Sequence, residues 1–249
     1  MVQISIANLI AYSFCVTLVA LAGGLPPLFK RWNQRQLHLF VAFGGGTILG
    51  AIFLHLLPDS LSMGSAELSS IMVLLGFIFV LMIERIILKG HVHADEHTPL
   101  KKHQFVGITA LMGLSVHSLI GGFGLAVGMI DPKIGIAIFI AIIMHKATEA
   151  FSLSTIFRLG EFSKRKTLGL LFGYSLMTPL GALLSLPFVE SLKNISLAVP
   201  AGLTAGTFLY VATLDLIPEV FHGEGGKTLP FVCLLFGIAL MYFIKFLGA

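Results

Sequence analysis

The segment Ile134-Gly-Ile-Ala-Ile-Phe-Ile-Ala-Ile-Ile-Met-His145-Lys146-Ala-Thr148-Glu149-Ala-Phe-Ser152-Leu-Ser-Thr-Ile-Phe-Arg158 decides how this chain folds. It exceeds the ~20 apolar residues that carry a helix across ~30 Å of hydrocarbon. Its middle nevertheless holds an imidazole, an ammonium and a carboxylate. A charge at the bilayer centre costs at least ~2.5–3.5 kcal/mol, so Lys146 and Glu149 need partners or a purpose. His145 and Glu149 are four residues apart, on one helical face and within reach of one ion.

The rest of the chain agrees with a membrane setting. Of its 249 residues 56% are hydrophobic and only 11% are charged, against about 25% charged in a soluble domain. A soluble enzyme and a nucleic-acid binder are excluded, and the net charge of +4 is not a nucleic-acid signal. Breaking the sequence at polar clusters gives eight apolar segments, near 4–29, 37–58, 68–88, 104–128, 134–158, 166–189, 196–221 and 228–247. Segments this long and apolar satisfy their backbone as helices. The expectation is an all-α polytopic membrane protein, a single transmembrane domain over 1–249. The first run starts at Ile4 without a basic flank, which reads as a span and not as a cleaved signal. Cys15 and Cys233 both lie in apolar stretches and make no disulfide framework.

Basic residues set the orientation. The connections after spans 1, 3, 5 and 7 hold twelve: Lys30, Arg31, Arg35, Arg85, Lys89, Lys101, Lys102, Arg158, Lys164, Arg165, Lys166 and Lys227. The other side holds three: Lys133, Lys193 and Lys245. Twelve against three places those connections in the cytoplasm and both termini outside. The longest connection, 90–103, carries His91, His93, His97 and His103 with two acids. It reads either as a plain solvated loop or as a weak metal-capturing one.

Two span ends match. Span 2 closes on His55-Leu-Leu-Pro-Asp59 and span 7 on Asp215-Leu-Ile-Pro-Glu219, each a polar residue, two aliphatics, proline and an acid. On the orientation above they face opposite sides. That predicts an inverted repeat of spans 1–3 and 6–8 around spans 4 and 5, an architecture of transporters. The plainer reading is two unrelated helix ends, each stopped by its proline.

Span 4 adds Leu114-Ser-Val-His117-Ser118-Leu-Ile-Gly121-Gly122-Phe-Gly124. Two histidines and a glutamate at mid-membrane depth suit zinc and its first-row neighbours. Each residue also has a structural reading. His117 fits a helix–helix hydrogen bond, Lys146 and Glu149 fit a neutral pair, and the glycines at 44–46, 50, 121, 122, 124 and 128 fit close packing.

Together these motifs resemble the ZIP (Zrt/Irt-like) family of divalent metal transporters over essentially the whole chain. The family's span-4 His-Asn-x-x-[Asp/Glu]-Gly is similar to His117-Ser118-Leu-Ile-Gly121-Gly122. His145-Lys146-Ala-Thr-Glu149 resembles the His-Lys form of its span 5, and Leu209-Tyr-Val-Ala-Thr-Leu-Asp215-Leu-Ile-Pro-Glu219 its span 7. The resemblance implies a single transporter domain that imports metal by an elevator-like cycle, with no cofactor and with zinc, iron or another first-row ion as cargo. It implies His117, His145 and Glu149 as metal ligands, and His55 and Asp59 on the outer approach. Ser118, Lys146, Asp215 and Glu219 are then pathway or supporting residues, with Asp215 the expected partner of Lys146. Gly121 departs from the family's acid, and Lys146 stands where two-metal members have one, which implies a single ion per core.

The partners expected are the ion and the lipid bilayer of a plasma or inner membrane, with no nucleic acid; a homodimer stays open. Three other readings remain at this level: an intramembrane metal-dependent hydrolase, a structural or sensory membrane protein, and a family member that no longer transports. The hydrolase lacks His-Glu-x-x-His and Gly-x-Ser-x-Gly motifs. The charge count is directly testable. A cysteine placed within 159–165 should resist an impermeant thiol reagent added outside, whereas one after Leu247 should react; the reverse pattern overturns the orientation.

Overall fold

The computed structural model describes residues 5–29, 31–88, 99–130, 132–188, 196–221 and 226–248. Eight helices within them are long and apolar enough to cross a membrane. They are α1 (Ile6–Gly24), α2 (Gln34–Met63), α3 (Ala66–Ile86), α4 (His103–Gly128), α5 (Ile134–Leu159), α6 (Lys164–Phe188), α7 (Ala198–Phe221) and α8 (Thr228–Phe246). Short polar residues start several of them, because a side-chain oxygen satisfies an orphan N–H of the first turn. Ser5, Ser65 and Ser163 cap α1, α3 and α6, and Asn33 with Gln36 forms a capping box at α2.

Both matching prolines sit inside helices, not at their ends. α2 continues through Pro58 to Met63, and α7 through Pro218 to Phe221. The reason is the same in each. A π-helical stretch precedes the proline, Ile52–Leu56 in α2 and Val211–Leu216 in α7. Its last bonds run five residues back, from Leu57 N–H to the Ile52 carbonyl and from Ile217 N–H to the Ala212 carbonyl. The widened turn absorbs the donor that proline lacks. Helical structure also begins at Pro99, so His103 belongs to α4 and not to a loop. His91, His93 and His97 lie outside the described residues.

Burial separates inner from outer helices. α2, α4 and α7 bury 61%, 56% and 67% of their most apolar windows, against 17% for both α1 and α8. The principal pairings are α2 with α8, α3 with α7, α4 with α6 and α1 with α5. Glycine makes these crossings tight. A Cβ on Gly206 would strike the Val73 carbonyl, and one on Gly76 the Leu203 carbonyl, so α3 and α7 meet backbone to backbone. Gly122 and Gly181 do the same for α4 and α6, and Gly46 and Gly237 for α2 and α8. Gly121 is the exception among the packing glycines expected from sequence: a Cβ there meets nothing within 4 Å.

Gly206→Ala should therefore lower stability by about 1–3 kcal/mol, the usual range for overpacking. Gly169→Ala, whose Cβ points into open space, should not. Thermal unfolding in detergent measures both, and equal midpoints would mean that the α3–α7 crossing tolerates separation.

Candidate metal centre

α4 and α5 bring the buried polar groups together. His117 comes from mid-α4, His145 and Glu149 from successive turns of α5, and none is more than 5% exposed. One ligand-type atom from each falls within 4.8 Å of the others. His117 Nε2 is 3.4 Å and His145 Nε2 3.3 Å from the same atom, Glu149 Oε1. That oxygen is buried and accepts no hydrogen bond from the described residues. Two imidazole nitrogens and an unspent carboxylate oxygen around one point suit a divalent first-row ion.

The other carboxylate oxygen is fully engaged. Tyr174 of α6 donates its hydroxyl to Glu149 Oε2, and Lys146 Nζ lies 3.4 Å from the same atom. The ammonium also donates to Ser118 Oγ at 2.5 Å and to the Tyr174 oxygen at 3.0 Å. Ser118 in turn donates its own hydroxyl to the Leu114 carbonyl at 2.7 Å. Phe208 of α7 stacks on the His117 ring with centroids 3.4 Å apart and meets His145 edge-on. The carboxylate is thus oriented by one side of the site and presented to the other.

Asp215 is not the partner of Lys146. Its Oδ1 accepts from Thr109 at 3.1 Å, and the neighbouring Tyr210 hydroxyl donates to Glu84 of α3. Thr204 shares a cavity wall with His117 and His145, and Asp215 lies eleven residues further along α7, roughly 16 Å at helical rise. No lysine side chain spans that distance. Lys146 finds its anion one turn away on its own helix instead.

A cavity of about 90 Å³ has both imidazoles in its wall, with Asp59 and Met63 of α2, Gly121 of α4 and Thr204 of α7. Asp59 therefore lies on an approach to the histidines. His55 does not line it; its Nε2 lies 3.2 Å from the Met241 carbonyl of α8.

A second cluster lies at the opposite end of the inner helices. His103 Nε2 is 2.7 Å and His38 Nε2 3.7 Å from Glu219 Oε1, and one ligand-type atom of each falls within 4.8 Å of the others. His38 Nδ1 faces the Gln34 carbonyl at 2.8 Å. A carbonyl only accepts, so Nδ1 carries the proton and a neutral ring leaves Nε2 free as a ligand. Fourteen residues of α4 separate His103 from His117, roughly 21 Å.

Sequence reasoning missed His38, Tyr174 and Phe208. Tyr174 left a signal: it is one of four tyrosines and stands mid-span, where a buried hydroxyl needs a partner. His38 and Phe208 left none, because they join the site only through packing of α2 and α7.

Tyr174→Phe keeps the ring and removes the donor. Zinc affinity in detergent should fall about 10–100-fold, the usual cost of losing a group that orients a ligand, with the unfolding temperature of the metal-free protein little changed. Unaltered affinity by isothermal titration would show that Lys146 alone orients Glu149.

The family model described as ZIP Zinc transporter matches residues 7–94 and 88–245. The chain is 26% identical to zinc transporter ZIP1 of Takifugu rubripes over 309 aligned positions, covering 100% of this chain and 99% of that protein. It is 28% identical to zinc transporter ZIP1 of Homo sapiens across 86% of this chain and 80% of that protein. With zinc transporter ZIP9 of Micropogonias undulatus it shares 33% identity over 62% of this chain and 51% of that protein. The chain belongs to the ZIP zinc transporter family.

Proposed function

We propose that this protein carries one divalent ion at a time, zinc foremost, into the cell through the site formed by His117, His145 and Glu149. The family consists of transporters and not enzymes, which removes the hydrolase reading. The observation that carries the proposal is the division of the Glu149 carboxylate. Oε1 is unspent and faces two imidazoles, while Oε2 is held by Tyr174 and Lys146.

Charge favours a single ion. With neutral histidines, Lys146 and Glu149 sum to zero. One divalent ion leaves the site at +2 and a second would leave it at +4, in surroundings where like charges repel strongly. An ammonium hydrogen-bonded to Ser118 and Tyr174 already occupies part of the space. Three protein ligands leave a coordination position for water, which suits an ion that has to be released again.

The direction of transport rests on where the site opens. The cavity reaches His117 and His145 from the Asp59 end of α2, the outer end on the charge count. On the Glu219 side of the site, Ala110, Leu114, Leu153 and Val211 are all fully or almost fully buried in one apolar cluster. Inward release then passes His38, His103 and Glu219. An inverted repeat is supported by the helix pairings: exchanging spans 1–3 with 6–8 and 4 with 5 turns α2–α8 into α7–α3 and α1–α5 into α6–α4. The two π-helical stretches before Pro58 and Pro218 obey the same exchange. On this reading α4 and α5 form the core of a unit that moves against a scaffold, in a plasma or inner membrane with both termini outside.

Sealed proteoliposomes test the proposal. The unmodified protein should take up zinc saturably and bind one ion per core, and Glu149→Ala, His117→Ala and His145→Ala should each abolish the saturable component. Normal uptake by all three variants removes the site from α4 and α5, and two tightly bound core ions overturn the charge argument. Gly121→Asp should fit, because a Cβ there meets nothing within 4 Å, and should strengthen binding by adding a carboxylate to the cavity wall.

A further inference from the structure

A separate pocket of about 460 Å³ opens between the start of α2 and the end of α5, lined by Arg31, Trp32, Gln34, Leu37, Arg158 and Glu161. It shares no residue with either His/Glu cluster. Both walls are held by local structure. α5 ends in a Schellman turn, with Phe162 N–H bonded to the Phe157 carbonyl at 2.9 Å and Glu161 N–H to the Arg158 carbonyl at 3.1 Å. Glu161 takes the left-handed position with φ 55°, and Phe162 packs on Phe157 with ring centroids 5.3 Å apart, the hydrophobic contact such turns carry. The turn also fixes Arg158, whose Nη1 donates to the Phe162 carbonyl at 2.7 Å. Opposite it, the Asn33–Gln36 capping box fixes the first turn of α2, and Trp32 stands edge-on to Phe40 at 4.8 Å.

The pocket is positive without being paired. Arg31 and Arg158 form no ion pair with any described residue, and Glu161 is the single opposing charge in the lining. A guanidinium presents donors in a fork that matches phosphate oxygens. The pocket also sits where α2 begins and α5 ends, and the ends of membrane-spanning helices reach the headgroup layer. It combines arginines with a tryptophan, the aromatic that favours that interface. It lies on the side with twelve of the sixteen basic residues, the side that faces anionic lipid when it is cytoplasmic.

We propose that this pocket binds the phosphodiester of an anionic phospholipid, with Arg31 and Arg158 as its two donors. The acyl chains would leave past Leu37 and Trp32. A headgroup held there ties α2 to α5. Arg158 lies nine residues beyond Glu149, roughly 13 Å along α5, so the lipid would anchor the same helix that carries the metal carboxylate.

Trp32 is the chain's only tryptophan, so tryptophan emission, excited beyond the tyrosine absorption, reports on this pocket alone. The full chain is placed in phosphatidylcholine vesicles containing a small fraction of phosphatidylglycerol, with bromine on the acyl chains of one lipid or the other. At equal mole fraction, brominated phosphatidylglycerol should quench Trp32 more strongly. Arg31→Gln should reduce that preference about fivefold, the effect of one basic residue at a charged surface. Arg31 makes no protein hydrogen bond among the described residues, so this variant should fold; Arg158→Gln is the second variant. Glu161→Gln should move the preference the other way by about as much. Equal quenching by the two lipids in the unmodified protein overturns the proposal, as does a preference that survives both arginine substitutions. Loss of the preference in millimolar inorganic phosphate overturns the lipid assignment in favour of a free anion.

Discussion

Everything at the centre of this protein depends on how one carboxylate is shared. Glu149 is fully buried, and an isolated carboxylate in that position would be expelled or neutralised. Lys146, one turn earlier on the same helix, balances its charge, while Tyr174 fills the hydrogen-bonding capacity of Oε2. Removing one member of such a buried pair typically costs 3–5 kcal/mol, since the other is left uncompensated. The balance concerns one oxygen only. Oε1 stays available between two imidazoles, so the arrangement that lets the helix enter the membrane also leaves a ligand ready.

Helix packing serves that arrangement. Ser118 of α4 and Tyr174 of α6 reach the ammonium of α5 because glycines bring α4 and α6 to backbone contact at Gly122 and Gly181. Gly23 does the same between α1 and the Ala147 backbone, beside Lys146. Phe208 reaches the two imidazoles from a helix bound to α3 through Gly206. Without these close approaches the polar groups would stand too far apart to satisfy one another. In a membrane, where association between helices draws on packing more than on apolar burial, the glycines are what make the buried charges tolerable.

Much of this was legible in the sequence, and what escaped has a physical pattern. The eight helices followed from apolar length, and the convergence of His145 with Glu149 from their spacing on one helix. Interactions within one helix are fixed by periodicity, which a sequence displays. Partners from other helices are fixed by packing, which it does not. The Lys146–Glu149 pair, three residues apart on one helix, was accordingly legible as a neutral pair, whereas the cross-fold partner Asp215, inferred from family resemblance, was not borne out. Span 2 was drawn to stop at Pro58, although the helix runs on to Met63, whereas span 7 was already drawn through Pro218 to 221; the π-helical turns that accommodate both prolines leave no mark in composition. His103 was grouped with a loop whose apolar signal had faded, while its hydrogen bond to Glu219 depends on the far end of α7.

The two His/Glu clusters differ in a way that bears on direction. At the core, the oxygen facing both imidazoles accepts no hydrogen bond from the described residues, so an arriving ion displaces no protein contact there. At the other cluster, His103 Nε2 sits 2.7 Å from Glu219 Oε1, a full hydrogen bond that an ion has to break before it can bind. An ion thus displaces less protein bonding at Glu149 Oε1, beside the cavity that opens toward Asp59, than at Glu219 Oε1. The uptake proposed above needs that order: firm capture on the side of supply, and on the side of release a station whose own contacts re-form as the ion departs. In the uptake direction proposed above, His103 and Glu219 would re-form their hydrogen bond once the ion had left, which would reset that cluster without any group having to enter from solvent.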